Sequence, residues 1–174
     1  MMPSIPPEAP EKPAATLASS IGHIAATIDA EHFPSGERAA LRRLSPDAPP
    51  SLAFYRFAFK HLPPDWEAQR NAWMAIVSGI ALMCPRPHRP DRAAGLALAE
   101  AGYSEKRLER LLAAEGDTLH TLLLRAVRFL AAKNATCNWV QFARLLLSTG
   151  EEKREAARLA IAREFYRNHK DHKD

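Results

Sequence analysis

The apolar residues of the chain recur every three or four positions, within segments that are separated by short polar or proline-containing breaks. This period is that of an amphipathic α-helix. Leu17, Ile21, Ile24 and Ile28, for example, fall on one face of a helix. In the first half of the chain the pattern predicts four helices, at about 15–31, 35–44, 51–61 and 65–84.

The second half contains five further helical segments, each of which begins near a residue that can accept a hydrogen bond from the first turn. The expected helices are about 91–102, 105–115, 117–133, 138–148 and 150–168. The predicted capping residues are Ser35, Asp91, Ser104, Asp117, Asn138 and Thr149, the last in a capping box with Glu152. Because the loops are short, neighbouring helices should pack antiparallel.

The composition favours the same fold class. Alanine and leucine supply 32 and 20 residues whereas valine supplies 3, and unbranched side chains lose less rotamer freedom in a helix than β-branched ones. No Asn-Gly or Asp-Gly pair and no run of strict apolar alternation indicates a hairpin. We expect an all-α protein, a two-lobed helical bundle of about eight to nine helices.

The prolines mark the expected domain organisation. All 14 lie within the first 90 residues, and five of them lie within the first 13. Proline lacks a backbone donor and breaks helices. The distribution predicts a disordered proline-rich tail at 1–13, an N-terminal helical lobe at 14–84, a linker at 85–90 and a C-terminal helical lobe at 91–170.

The cysteines and the apolar runs bear on the cellular setting. Cys84 and Cys137 are the two cysteines and form no CxxC motif, so neither a disulfide framework nor a zinc module is indicated. The first residues lack the pattern of a secretory signal. The longest stretches without Asp, Glu, Lys or Arg are 13–28 and 71–85, with 16 and 15 residues, which is short of the ~18 of a membrane span. We expect a cytoplasmic protein that does not enter a membrane.

The motifs of catalysis are not found in the sequence. The glycines form no phosphate-binding loop, and neither HExxH nor GxSxG occurs. His169 and His172 lack further ligands nearby, and Glu105, Glu109 and Glu115 have the spacing of a solvated helix face. We therefore expect no enzyme, no catalytic residue, no metal and no cofactor.

The charge distribution suggests a different chemistry. The net charge is +4, from 24 basic and 20 acidic residues, and the surplus lies in the last third of the chain. Arg125 and Arg128 share one stripe of an otherwise apolar helix, with no acidic residue three or four positions away. Each either reaches water, pairs with a glutamate of another helix, or binds phosphate through its planar donor fork. The aromatic residues, Phe129 among them, have core spacings and are expected to pack rather than to stack on bases.

Five segments together resemble one protein family. They are ALRRL (40–44), AFYRF (53–57), GYSEKRLERLL (102–112), LLLRAVRFLAA (122–132) and NWVQFARLLL (138–147). Their order and spacing, over residues 35–168, are similar to those of the CasB family, the small subunit of the type I-E CRISPR surveillance complex Cascade.

The resemblance implies an all-helical, non-catalytic subunit that is present as a pair in the complex. Its expected partners are the other Cascade subunits, the crRNA and both strands of the target DNA, whose R-loop it would stabilise through backbone contacts. The residues expected to bind nucleic acid are Arg42, Arg43, Arg56, Arg107, Arg110, Arg125, Arg128 and Arg144. The alternative is a helical protein–protein adaptor whose arginines form structural salt bridges.

Overall fold

The computed structural model describes residues 16–169. Within this range the chain forms nine α-helices and no β-strand, which confirms the prediction of an all-α protein with eight to nine helices. The helices are α1 (Leu17–Asp29), α2 (Ser35–Arg42), α3 (Leu52–His61), α4 (Arg70–Leu82), α5 (Ala94–Glu100), α6 (Glu105–Ala113), α7 (Gly116–Ala132), α8 (Trp139–Leu147) and α9 (Glu151–Asn168). The predicted helix at 65–84 begins instead with a short 3-10 helix, Trp66–Gln69.

Two of the predicted helix caps are confirmed. Ser104 Oγ accepts from the Arg107 backbone N–H at 3.2 Å, and Asn138 Oδ1 accepts from the Val140 N–H at 3.0 Å. Ser51 caps α3 in the same way, by accepting from the Phe54 N–H. Each of these bonds pairs one of the N–H groups that a helix leaves unsatisfied at its start.

The other predicted caps are wrong. Asp91 pairs with Arg89, and the start of α5 is capped from another helix, because Gln141 of α8 accepts the Ala94 N–H. Gly150, in the left-handed conformation, precedes α9 and replaces the predicted capping box. Ser35 and Asp117 lie inside the first turns of α2 and α7.

Helix α4 lies at the centre of the core. Its residues from Ala72 to Ala81 are all buried, and it packs against α1, α2, α7 and α8. Trp139 of α8 is completely buried against Gly79, where a Cβ would overlap the indole ring. The indole N–H donates to Met83 Sδ at 3.3 Å. Helices from both halves of the chain therefore share one hydrophobic core.

The segment at 84–91 is bonded to helices on both sides of it. The Arg86 N–H donates to the Asp29 carboxylate of α1, and the Arg89 N–H donates to the Cys137 carbonyl ahead of α8. His88 Nδ1 accepts from the Trp139 N–H at 3.1 Å, and burial lowers the pKa of His88, which favours the neutral ring that this acceptor role requires. The division into two lobes at 85–90 stays a prediction.

The predicted tail at 1–13 lies outside the described residues. Within the part of the chain that the structure describes, no helix is both long enough and apolar enough to cross a membrane.

The contact between α5 and α9 yields a test of this packing. Gly95 of α5 is buried against the α9 backbone, where an added Cβ would overlap the Ile161 carbonyl and lie 2.6 Å from the Phe165 nitrogen. Because neither backbone group can rotate away, Gly95→Ala should cost about 1–3 kcal/mol. We expect the melting temperature to fall by about 3–10 °C.

Gly36→Ala is the matched control. A Cβ at Gly36, within α2, meets nothing within 4 Å, so the higher helix propensity of alanine should leave stability equal or raised by up to about 1 kcal/mol. Circular dichroism melts measure both variants. A melting temperature of Gly95→Ala at or above that of the parent protein would refute the close approach of α5 and α9.

Candidate nucleic-acid interface

Arg125 and Arg128 lie on the solvent side of α7. The opposite side of this helix is buried and includes Leu123, Val127 and Leu130, which fixes the rotation of α7 about its axis. Both arginines are exposed, and neither forms an ion pair with a carboxylate of residues 16–169. Of the interpretations that the sequence left open, pairing with a glutamate of another helix does not occur within this range.

Two further cations lie over the ring of Phe129, which follows Arg125 by four residues and Arg128 by one. The Arg107 guanidinium of α6 lies 5.9 Å from the ring centroid, and the Lys133 ammonium, at the end of α7, lies 5.8 Å from it. We call Arg107, Arg125, Arg128 and Lys133 the α6/α7 basic face. Sequence reasoning missed Lys133, although its position four residues after Phe129 places both side chains on one side of α7.

Arg110 extends this region along α6. It follows Arg107 by three residues, is exposed, and forms no ion pair within the described part of the chain. Side chains three positions apart lie on the same side of a helix, so Arg110 lies on the same side of α6 as Arg107.

Arg42 has a structural role. It is half-buried, and its Nε donates to the Ala81 carbonyl at 2.9 Å, near the end of α4. Arg38 acts similarly at the end of α1, where it donates to the carbonyls of Ile28 and Ala30. Both guanidiniums thus donate to carbonyls at helix C-termini, which lack the N–H of a following helical turn. The Ala81 and Ala30 carbonyls also accept from the Cys84 and Phe33 backbone N–H groups. The assignment of Arg42 as a nucleic-acid contact stays a prediction.

The remaining candidate arginines lie on other elements. Arg43 is exposed at the end of α2, and Arg56 of α3 is 3.6 Å from the Glu37 carboxylate. Arg144 of α8 lines a groove of about 420 Å³ together with Lys153 of α9. The structure therefore places Arg107 and Arg110 on α6, which contacts α7 with its Arg125 and Arg128. It places Arg42, Arg43, Arg56 and Arg144 on other elements.

In helix α9, by contrast, arginine side chains are paired with glutamates. Arg158 pairs with Glu151 at 2.9 Å and lies 3.7 Å from Glu115, and Arg167 pairs with Glu164 at 3.0 Å. Much of the last helix is therefore a salt-bridged solvent face. The α6/α7 basic face differs because its cations have no carboxylate partners among residues 16–169.

The aromatic residues are mostly core, as expected. Six rings are at most 5% exposed, namely those of Phe54, Phe57, Trp66, Trp73, Trp139 and Phe142. Phe129 is the exception, since it is only partly buried.

The thiols are not reactive at neutral pH. Burial, and secondarily the nearby Asp29 carboxylate, raise the pKa of Cys84 to about 11, and burial raises the pKa of Cys137 to about 12. Both therefore remain protonated and weakly nucleophilic. Among residues 16–169 no three His, Cys, Asp or Glu side chains form a group that could hold a metal ion. His172 lies outside the described residues.

Within residues 16–169, the fold and the site together define an all-α protein with an exposed cationic helix face that has no carboxylate partners. A family model identifies the class more narrowly, because residues 37–166 match CRISPR-associated protein Cse2. The chain belongs to the Cse2 family, which confirms the resemblance of its five motifs to CasB.

A solved structure shows the same fold. A chain in the crystal structure of E. coli Cascade bound to a PAM-containing dsDNA target matches with a TM-score of 0.60 and 23% sequence identity. The match covers 83% of the present chain and 95% of the E. coli chain. No curated protein matches the sequence.

The different environments of Arg42 and Arg43 predict different costs of substitution. Arg42→Ala removes a charged donor from the Ala81 carbonyl and should destabilise the protein by about 1.5–3 kcal/mol. Arg43→Ala removes an exposed side chain and should stay within about 0.5 kcal/mol. Urea denaturation measures both. Equal midpoints for the two variants would contradict the capping role of Arg42.

Proposed function

We propose that the protein is a non-catalytic subunit of a crRNA-guided Cascade complex, and that its α6/α7 basic face contacts the backbones of the target or displaced DNA strand. The observation that carries the proposal is the exposure of Arg125 and Arg128 without a carboxylate partner in residues 16–169. Membership of the Cse2 family supports the subunit role.

Contacts to the sugar–phosphate backbone can stabilise an R-loop. Exchange of a DNA duplex for an RNA–DNA heteroduplex is nearly balanced in free energy, so contacts to the sugar–phosphate backbone can tip it while base pairing supplies the sequence specificity. The guanidinium of arginine is always charged and presents a planar fork of donors to phosphate oxygens. A helix face with several such groups stabilises a strand without reading its bases.

The binding partners that we propose follow from the family and from the matched structure. E. coli Cascade is bound to a dsDNA target in that structure, and the present chain would likewise assemble with other Cascade subunits, crRNA and DNA, as one of a pair of copies.

One observation favours the adaptor as a second candidate function. Leu52 and Phe59 of α3 are 74% and 72% exposed, and their spacing of seven residues places them on one side of that helix. Exposed apolar side chains of this kind fit contact with another protein subunit. In the adaptor, the subunit would support assembly and the arginines would not touch DNA.

Removal of the two α7 arginines separates these functions. Arg125→Ala with Arg128→Ala should weaken DNA binding by the assembled complex about tenfold, which is on the order of 0.7 kcal/mol per arginine at 1.4 kcal/mol per factor of ten. The melting temperature should change by less than about 2 °C, because neither side chain has an ion pair in residues 16–169. Calorimetric melts and titration of DNA with the complex measure the two effects.

Arg154→Ala with Arg167→Ala is the charge-matched control. It removes the same two positive charges, but these guanidiniums already lie 3.9 Å and 3.0 Å from the carboxylates of Glu115 and Glu164. We expect DNA binding within twofold of the parent. Unchanged DNA binding in the α7 variant, or an equal loss in the control, would favour the adaptor or a nonspecific charge effect.

The salt dependence of the isolated chain is a separate prediction. If about four cations contact the phosphates of a single strand, log K should fall with log salt at a slope of roughly −3, and each true contact removed should make the slope shallower by ~0.7. Competition titrations with two scrambled oligonucleotides at several salt concentrations measure the slope. Tenfold discrimination between the oligonucleotides, or affinity independent of salt, would contradict backbone binding.

A further inference from the structure

We propose that Phe129 is a stacking site for an unpaired base of a single DNA or RNA strand whose phosphates the α6/α7 basic face binds. The inference rests on the proposed function and names its substrate class, a single strand rather than a duplex. It starts from one aromatic ring that has two cations over it, Arg107 and Lys133, and a third, Arg125, four residues before it in α7.

The Phe129 ring is fixed in place but not enclosed. Tyr103, which is 6% exposed, meets it in an edge contact with the ring centroids 5.4 Å apart and the planes at 62°. Phe129 itself is only partly buried. A ring that is held from the core side and open to solvent on another is a rigid platform, so a ligand that stacks on it meets little entropic cost from ordering the ring.

Cations already lie over this ring. The Arg107 carbon Cζ is 5.9 Å from the centroid and the Lys133 nitrogen Nζ is 5.8 Å from it, which shows that the electron-rich ring can be reached by polar groups from solvent. Both residues are exposed, and cation–π contacts at exposed sites are weak. A base can therefore displace them from the ring, and the displaced cations become available to the phosphates beside that base.

The helix geometry places phosphate-binding groups on either side of the ring. Arg125 precedes Phe129 by four residues and Lys133 follows it by four, so the Cα atom of each lies about 6 Å from that of Phe129 along the helix axis. Arg128 is the adjacent residue. A strand that runs along α7 thus meets a cation, an aromatic ring and a cation in turn, the combination by which proteins bind single strands without sequence preference.

A duplex does not fit this arrangement as well. Its bases are stacked on one another and paired, and only their edges are accessible in the grooves. The face of a base is free for an aromatic side chain only in a single strand. The Phe129 ring, with cations beside it, therefore favours binding of the displaced strand, or of another unpaired segment, over binding of paired DNA.

The test uses the full chain and three probes of equal length: oligothymidylate, an abasic strand with the same backbone, and a duplex. Phe129→Leu keeps an apolar side chain against the core but removes the aromatic face. We expect its affinity for oligothymidylate to fall about three- to tenfold, with affinities for the abasic strand and the duplex within twofold of the parent. Phe129→Trp, which keeps an aromatic face, should retain the parent affinity for oligothymidylate.

Phe59→Leu is the matched control, because it removes an aromatic ring that is 72% exposed on α3, outside the α6/α7 basic face, and should not change any of the affinities. A second measurement uses the unaltered protein and a strand with one 2-aminopurine, whose fluorescence should be quenched on binding if a base stacks on the ring. That measurement does not depend on the folding of any variant.

The outcomes distinguish this inference from the proposed function. If Arg125→Ala with Arg128→Ala weakens binding of every probe but Phe129→Leu weakens none, the face binds backbones and the stacking site is refuted. Equal losses of Phe129→Leu for oligothymidylate and the abasic strand, or an unquenched 2-aminopurine, also refute it. If the arginine variant binds all probes as the parent does, the proposed function itself fails.

Discussion

The burial of α4 on all sides is the constraint on which the rest of the structure depends. Every residue from Ala72 to Ala81 is removed from solvent, which requires apolar surfaces from several other helices to surround this one. The glycine at 79 is part of that arrangement, because the Trp139 indole occupies the space that a Cβ would fill. Close packing of this kind fixes the positions of the surrounding helices.

The orientation of the candidate interface follows from that core. Helix α7 packs against α4 through the side that includes Leu123 and Val127, and a helix with one side fixed has its opposite side fixed as well. Arg125 and Arg128 therefore face solvent because their neighbours are buried. The position of Arg107 depends in turn on the contact of α6 with α7, through which its guanidinium reaches the Phe129 ring.

The sequence was sufficient where local signals decide the structure. The spacing of apolar residues predicted the all-α fold and the approximate positions of the helices, and Ser104 and Asn138 cap their own helices within three residues. It was insufficient where the partner is distant along the chain. Gln141 caps α5 from 47 residues away, and Arg42 bonds to a carbonyl 39 residues away, and neither contact leaves a periodic trace in the sequence.

The dependence on distant parts of the chain also explains why the sequence pattern assigned Phe129 to the core. A ring at the edge of an apolar helix face has the same spacing as one at its centre, so the pattern alone places Phe129 in the core with Phe142. Only the arrangement of the neighbouring helices shows that Phe142 is fully buried whereas Phe129 is partly open. In the same way, periodicity predicted that Arg125 and Arg128 share a side of α7 but could not show whether a carboxylate from another helix reaches them.

The arginines of this protein occur in three environments, and the energies of these environments differ. A charged donor on a helix carbonyl, such as Arg42, contributes about 1.5–3 kcal/mol, whereas an exposed ion pair, such as that of Arg167, contributes about 0–1 kcal/mol. Arg125 and Arg128 have neither partner within residues 16–169, and like charges one turn apart on a helix are destabilising by a few tenths of a kcal/mol. A polyanionic strand would outweigh this repulsion between the two arginines, because a phosphate between the two guanidiniums is attracted by both. Under the proposed function, the cationic face would thus be slightly unfavourable in the free chain and favourable with a strand bound, and the difference would grow as the salt concentration falls and screening weakens.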